Sequence, residues 1–213
     1  MSNIKNIAIL NYGLGNIRSI SNALQASGAN ALLTDTRDSI LESDGLIIPG
    51  VGAFPNAMNN LEKKNLIQTL KDFSASQKPI LGICLGMQLL FDKGYEHEEV
   101  DGLGLISGDV KKIDLSHLES ARLPHIRWAN VSSTSLGEQD MFNQIPAPER
   151  RFYFIHSYAA TNVSASSITS YAGYHDLNFV ASVQSGNIWG VQFHPEKSGI
   201  SGLQLISNFI SKC

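Results

Sequence analysis

The chain has 213 residues, 43% of them hydrophobic and 16% charged, the balance of an ordinary globular domain with a substantial core. A formal charge of −3 and the lack of any basic run argue against nucleic acid as the main partner. No apolar stretch reaches the length of a membrane span, and Met1-Ser2-Asn3-Ile4-Lys5-Asn6 has no signal-peptide layout, so a cytoplasmic protein is expected.

The first half alternates strand and helix. Lys5–Leu10 reads as a buried strand, followed by a Gly-rich turn, Asn11-Tyr12-Gly13-Leu14-Gly15-Asn16. Ile17, Ile20 and Leu24 then fall at helical spacing. Ala29–Leu33 and Asp44–Ile48 read as the next strands, the latter stopped by Pro49 and Gly50. Asn56–Phe73 reads as one helix, Lys78–Ile83 as a fourth strand and Met87–Lys93 as a short helix. Strands apolar on both faces predict an α/β fold with a mostly parallel sheet covered by helices. Functional residues should then gather at the carboxyl ends of the strands.

The second half changes character. Leu103–Ile113, Leu123–Ser133, Arg151–Ala160, Ile168–Tyr174 and Phe179–Phe193 read as strands, with Asn178 and Gly186-Asn187 as turn positions. They predict an additional antiparallel sheet. Ile200–Ile210 closes the chain as a helix with Leu203, Ile206 and Ile210 on one face. No repeat, linker or charge run marks a boundary, so residues 1–213 read as a single domain.

Only two cysteines are present, Cys84 and Cys213. Such usage fits a reducing compartment. Cys84 has no metal-type spacing, and no metal or cofactor is expected. It is either a nucleophile or a buried core thiol. Gly82-Ile83-Cys84-Leu85-Gly86 lies between an expected strand and an expected helix. That is the layout of a nucleophile elbow, where glycines relieve a tight turn and the sulfur is lifted to the sheet edge. A helix start beneath it favours the thiolate, and the Leu85 amide can face a developing oxyanion. The strand-turn-helix setting favours the nucleophile.

A cysteine nucleophile needs a base, and the base needs orienting. His194 ends an apolar strand, and Glu196 follows two residues later across Pro195. In extended backbone the two side chains leave on the same side. Of the six histidines, only His194 has an acid so placed. His97, His117 and His175 sit in polar or turn-like surroundings, while His125 and His156 lie in apolar strands as core or interface residues. Ile48-Pro49-Gly50-Val51-Gly52-Ala53-Phe54 is either an ordinary turn or a loop offering amides to an oxyanion. Gln88, one turn beyond Cys84, either binds a polar substrate or caps local backbone.

Together these segments resemble the class I (triad type) glutamine amidotransferase family, and within it the glutaminase subunits of imidazole glycerol phosphate synthase. The resemblance rests on Asn11–Ser19, Pro49–Pro55, Gly82–Phe91, Gly102–Ile106, Tyr153–Tyr158 and Gln192–Ser198, in family order over nearly the whole chain. It implies a flavodoxin-like fold and hydrolysis of L-glutamine to glutamate and ammonia through a thioester on Cys84. It further implies His194 as proton shuttle, Glu196 as its orienter, and an oxyanion hole from the amides of Leu85 and the Val51–Gly52 peptide. Gln88, Ser157 and Tyr158 would hold glutamine. Ammonia would pass to a (β/α)8-barrel cyclase subunit in a heterodimer serving histidine biosynthesis. Asn16, Arg18, Trp128 and Lys197 would face that partner.

One stretch departs from the pattern. Pro124-His125-Ile126-Arg127-Trp128-Ala129-Asn130 carries arginine where glycine is usual and alanine where asparagine is usual, and Ser107 stands where proline is common. These departures keep open a paralogous subunit that supplies ammonia for amidino-sugar formation in surface polysaccharides. A γ-glutamyl cysteine hydrolase on the same fold and a non-catalytic regulatory protein are the alternatives from other classes.

Overall fold

The computed structural model describes residues 4–117 and 121–213. Met1–Asn3 lie outside the described residues. The first half runs β1 (Asn6–Leu10), α1 (Ile17–Ala26), β2 (Asn30–Thr34), α2 (Arg37–Glu42), β3 (Gly45–Ile48), α3 (Phe54–Lys63), α4 (Leu66–Ala75), β4 (Ile80–Ile83) and α5 (Leu85–Leu89). The second half adds the short strands β5 (Lys93–Gly94), β6 (Val100–Asp101) and β7 (Asp109–Lys112), then β8 (His125–Ser133) and α6 (Ser135–Gln139). It ends on β9 (Arg151–His156), β10 (Tyr158–Thr161), β11 (Ile168–Tyr174), β12 (Leu177–Ser185), β13 (Ile188–Val191) and α7 (Gly199–Ile210).

Nine strands form one sheet in the order β2-β1-β3-β4-β13-β12-β11-β8-β9. From β2 to β13 neighbours are parallel, and from β13 to β9 they are antiparallel. The antiparallel strands of the second half therefore extend the central sheet. The separate sheet is small, with four strands in the order β10-β7-β5-β6. β3 and β4 are buried along their whole length, as their continuous apolar runs require. β1 pairs β2 on one side and β3 on the other, so the strand order reverses there and opens a crevice at the carboxyl ends.

Several boundaries differ from the sequence reading. The helix expected over Asn56–Phe73 is two helices, because Asn65 turns into the left-handed region at φ 54. Leu61 and Leu66 are five residues apart, a spacing that no single helical face accepts. Leu103–Ile113 is strand only over its last part, since Gly104 and Gly108 bend the chain at φ 62 and 147. Arg151–Ala160 is two strands in different sheets, with Ser157 as the corner. The hairpin between β11 and β12 turns at His175-Asp176, with His175 at φ 57, and Asn178 lies inside β12. The short helices α2 and α6 were not expected from periodicity, and α5 begins two residues earlier than Met87.

β13 is the seam that matters for chemistry. Its register with β4 pairs Val191 with Ile83, and the Cys84 amide donates to Val191 O at 2.8 Å. One step further, Gln192 lies beside Cys84. Residues a hundred positions apart thus leave the same sheet edge on adjacent strands.

Candidate active site

Cys84 joins β4 to α5 with φ 54 and ψ −110, a conformation that costs a non-glycine residue about 1–3 kcal/mol. The surroundings hold it there. A Cβ at Gly86 would stand 1.8 Å from Ile48 O, and one at Gly82 would stand 2.7 Å from Gly86 O. Glycines on both sides of the cysteine are therefore demanded by backbone crowding. Leu85 is the first residue of α5, so its amide has no acceptor within the helix.

His194 stands just past the end of β13 at φ −103, extended as the following proline requires. Its Nδ1 is 2.8 Å from Glu196 Oε1. The pair meets differently from the extended-strand expectation: Pro195–Lys197 is a 3-10 turn, which folds Glu196 back under the ring. Both side chains are buried. Ser198 Oγ donates to His194 O at 2.6 Å and accepts from the Tyr153 amide at 3.0 Å, clamping the turn to β9. Asn16 Nδ2 donates to Glu196 Oε1 at 3.3 Å. His194 Nε2 is buried and has no hydrogen-bond partner among the described residues. Burial works against the imidazolium, but the Cys84 sulfur and Glu196 carboxylate outweigh it and raise His194 to about 10.

A cavity of about 240 Å³ opens over Cys84 and His194, at the small end for ligand pockets and suited to an amino acid. Val51, Gly52, Leu85, Gln88, Ser157 and Tyr158 are among its lining residues. Every residue that the sequence offered for the oxyanion hole and substrate pocket thus borders the same space as Cys84. Gly52 has φ 108, and a Cβ there would meet nothing within 4 Å. Its glycine serves the backbone angle and not a close approach. Gln88 has its amide nitrogen committed to Tyr158 O at 3.1 Å and to Gln192 Oε1 at 3.0 Å, so only its oxygen is left for a ligand.

Four further residues border the site: three that the sequence reading left without a role, and His156, read there as a core or interface residue. Glu96 lines the cavity and accepts from the Phe54 amide at 2.8 Å. Tyr12 is buried and donates to Pro49 O at 2.5 Å, tying down the loop that carries Val51. Burial, and then the charge of the Cys84 sulfur, push its phenol well above the usual range. His156 lines the cavity, with Nδ1 2.8 Å from Tyr158 O. Gln192 reaches toward the sulfur, with Nε2 at 3.8 Å. Tyr12, His156 and Gln192 lie inside the family-like motifs, which is the signal that sequence offers for them. Glu96 sits outside those motifs, in the acidic stretch Glu96-His97-Glu98-Glu99.

Of the proposed interface residues, Trp128 and Lys197 are both exposed and both pack near Tyr153: ring centroids are 6.2 Å apart in one pair, and Lys197 Nζ lies 5.9 Å over the ring in the other. Arg18 is exposed on α1. Asn16 reaches inward to Glu196. Along β8, Arg127 and Ala129 alternate with Trp128 and so leave the opposite face of the strand. Arg127 stacks on Tyr174 at 4.9 Å, and Ala129 is buried. The two departures in this stretch therefore do not alter the Trp128 face.

Residues 8–213 match the family described as Glutamine amidotransferase class-I. The chain belongs to the class-I glutamine amidotransferases. This amidotransferase is 43% identical over 203 residues to "Imidazole glycerol phosphate synthase subunit HisH" of Bacillus cytotoxicus, covering 95% of this chain and 93% of the relative. It is also 43% identical over 205 residues to the protein of the same name in Bacillus thuringiensis subsp. konkukian, with the same coverage. Among solved structures it resembles a putative GMP synthase protein from Thermoplasma acidophilum, with a TM-score of 0.71 and 19% identity over 100% of this chain and 96% of that one. PurLQS from Thermotoga maritima gives a TM-score of 0.72 at 18% identity, covering 98% of each chain. Those structures share the amidotransferase fold. No helix among the described residues is long and apolar enough to cross a membrane.

Proposed function

We propose that this amidotransferase is the glutaminase subunit of an imidazole glycerol phosphate synthase, a cytoplasmic heterodimer with a (β/α)8-barrel cyclase, and that residues 1–213 form its single glutaminase domain. The observation that carries the chemistry is His194. Glu196 holds its Nδ1 at 2.8 Å, while its Nε2 has no partner among the described residues and lies in the wall shared with Cys84. The names of the relatives at 43% identity support the choice of synthase.

The steps follow from these positions. The Cys84 sulfur attacks the side-chain amide carbon of glutamine, and the carbonyl π pair moves to oxygen. The Leu85 amide and the Val51–Gly52 peptide stabilise that oxyanion. The oxyanion collapses, the C–N bond breaks, and His194 gives its proton to the leaving ammonia. A water then attacks the thioester, His194 takes one of its protons, and the second collapse releases glutamate and the sulfur. Glu196 keeps the ring in place throughout and takes no proton. The α-ammonium of glutamine matches Glu96, the one carboxylate lining the cavity among the described residues.

The glycines of the Pro49–Gly52 loop suit regulation. A peptide between Val51 and Gly52 flips at little cost, and one missing oxyanion donor lowers turnover by about 10²–10³-fold. A barrel partner that prefers the competent loop switches the site on by its differential affinity alone. Asn16, Arg18, Trp128 and Lys197 are the contact residues of this reading.

The test is the purified chain with the barrel subunit encoded beside it. Glutamate release should be slow alone, and should rise by about 10²-fold or more with the partner and its acceptor substrate, yielding imidazole glycerol phosphate. Full activity alone, or activation only by a partner acting on an amidino-sugar precursor, would overturn the assignment. A glutamine analogue carrying a leaving group should label Cys84 and spare Cys213.

A further inference from the structure

A line of hydrogen bonds runs from the substrate pocket to the nucleophile, and its direction is fixed at one end. The carbonyl of Tyr158 can only accept. Gln88 must therefore turn its amide nitrogen toward it, at 3.1 Å. The same nitrogen has a second hydrogen, which goes to Gln192 Oε1 at 3.0 Å. With its oxygen so used, Gln192 presents Nε2 to the Cys84 sulfur at 3.8 Å. Both glutamines are buried, Gln192 completely. Gln192 is also held from behind, its own amide donating to Ala181 O at 2.8 Å.

We propose that Gln192 is a positioning residue for the nucleophile: its side-chain N–H stabilises the negative sulfur of Cys84, and Gln88 and the Tyr158 carbonyl hold it in the donating orientation. This rests on Cys84 being the nucleophile.

The surroundings of the sulfur distinguish its two forms. A thiol donates to Ile155 O of β9, 3.9 Å away. A thiolate has nothing to give that carbonyl and accepts from Gln192. The Gln192 contact is long at rest and tightens as charge gathers on sulfur. The titratable groups around Cys84 are His194 and Glu196 from the turn after β13, Tyr12 from the loop after β1, and His156 from β9. Glu96 and Tyr158 line the same cavity. Gln192 does not titrate, so it favours the anion without supplying a proton that the anion would recapture.

The arrangement links pocket and nucleophile. Ser157 and Tyr158 border the substrate cavity, and a ligand that shifts the Tyr158 carbonyl moves the anchor of the whole line. Substrate engagement and sulfur charge are thereby coupled through three side-chain and main-chain groups in contact.

The experiment uses the full chain with Gln192→Leu and Gln192→Glu, the latter the same size and still able to accept from Gln88. The readout is the rate of Cys84 carbamidomethylation by iodoacetamide against pH, with Cys84→Ala as the blank for Cys213, alongside kcat and KM for glutamine. Gln192→Leu should move the midpoint of the alkylation profile upward by about one pH unit and lower kcat about tenfold, with KM within about twofold. Gln192→Glu should move the midpoint further up, because it sets a negative group beside the sulfur. Should Gln192→Leu not fold, Gln192→Glu decides alone. A wild-type midpoint in a folded Gln192→Glu, with any loss confined to thermal stability or KM, would overturn the proposal. Alkylation of Cys213 in place of Cys84 would instead remove the nucleophile reading on which it stands.

Discussion

Asn16 and Glu196 lie 180 residues apart, yet the Asn16 side-chain amide donates to the same carboxylate oxygen that holds His194 Nδ1. Glu196 Oε1 thus accepts from both sides. Its second oxygen is buried with no partner among the described residues. The carboxylate is fixed by Asn16 on one side and by its 3-10 turn on the other.

Replacing Asn16 with leucine should free Glu196 to rotate and loosen the base. The expected result is a fall in kcat of about tenfold with KM nearly unchanged, since a hydrogen bond to a charged group is worth about 1.5–3 kcal/mol. Steady-state glutamate release over a range of glutamine concentrations measures both. A change confined to KM would show that Asn16 acts on the pocket instead.

His194 supplies a test by titration. Burial lowers its proton affinity, but the Cys84 sulfur and Glu196 together push it to about 10. Cys84→Ala removes the sulfur's share, so the His194 value should fall, read from the imidazole resonances by NMR. The sign for stability follows. A group raised above its unfolded value of about 6.5 stabilises the fold fully below that pH and loses the effect as pH rises through 10. The decline in wild-type stability over that window should be smaller in Cys84→Ala, measured by denaturant midpoints.

Acid should weaken the protein through a second pair of histidines. His125 and His156 are cross-strand partners on β8 and β9, their rings 5.3 Å apart. Among the described residues, both ring nitrogens of His125 are buried without partners, as is Nε2 of His156. Burial, followed by the charges of Arg127 and His175, lowers His125 to about 4. Burial lowers His156 to about 3 against the smaller upward pull of the Tyr158 carbonyl. The unfolded chain takes up these protons first, so stability is complete above about 6.5 and falls as pH drops toward 4. His125→Phe, among Phe154, Tyr174 and Phe179, should flatten that slope. An unchanged slope would assign the acid loss to carboxylates.

The elbow makes an unusual stability prediction. At φ 54, Cys84 pays the strain of a non-glycine residue, so Cys84→Gly should be more stable than Cys84→Ala by about 1 kcal/mol. Both should be inactive. Thermal or urea midpoints of the two inactive variants give the comparison. Alanine equal to glycine would show that the surroundings, not the backbone angle, dominate there.

Much of this site was legible before the fold. Gly82 and Gly86 around one cysteine, and an acid two residues past a strand-ending histidine, are local patterns, and local patterns survive in sequence. The apolar runs of β3 and β4 gave the parallel core for the same reason. What was not legible depends on distant contacts. Nothing in Arg151–Ala160 says that Ser157 turns a corner between two sheets, because both sides of the corner are equally apolar. Gln192 reads as an ordinary strand-end polar residue until β13 is set beside β4. The break at Asn65 was present in the spacing of Leu61 and Leu66, and was masked by good helix formers on either side.

The seam at β13 also has a meaning in time. The proposed nucleophile is made in the first half of the chain and finds its place at the end of β4, but the base arrives only when β13 slots between β4 and β12. That insertion joins segments far apart in sequence, the kind of contact that forms late in folding. A growing or truncated chain therefore carries a cysteine with no histidine beside it. On the proposed roles of Cys84 and His194, such a chain would leave glutamine untouched, and hydrolysis would begin only in molecules whose sheet has closed.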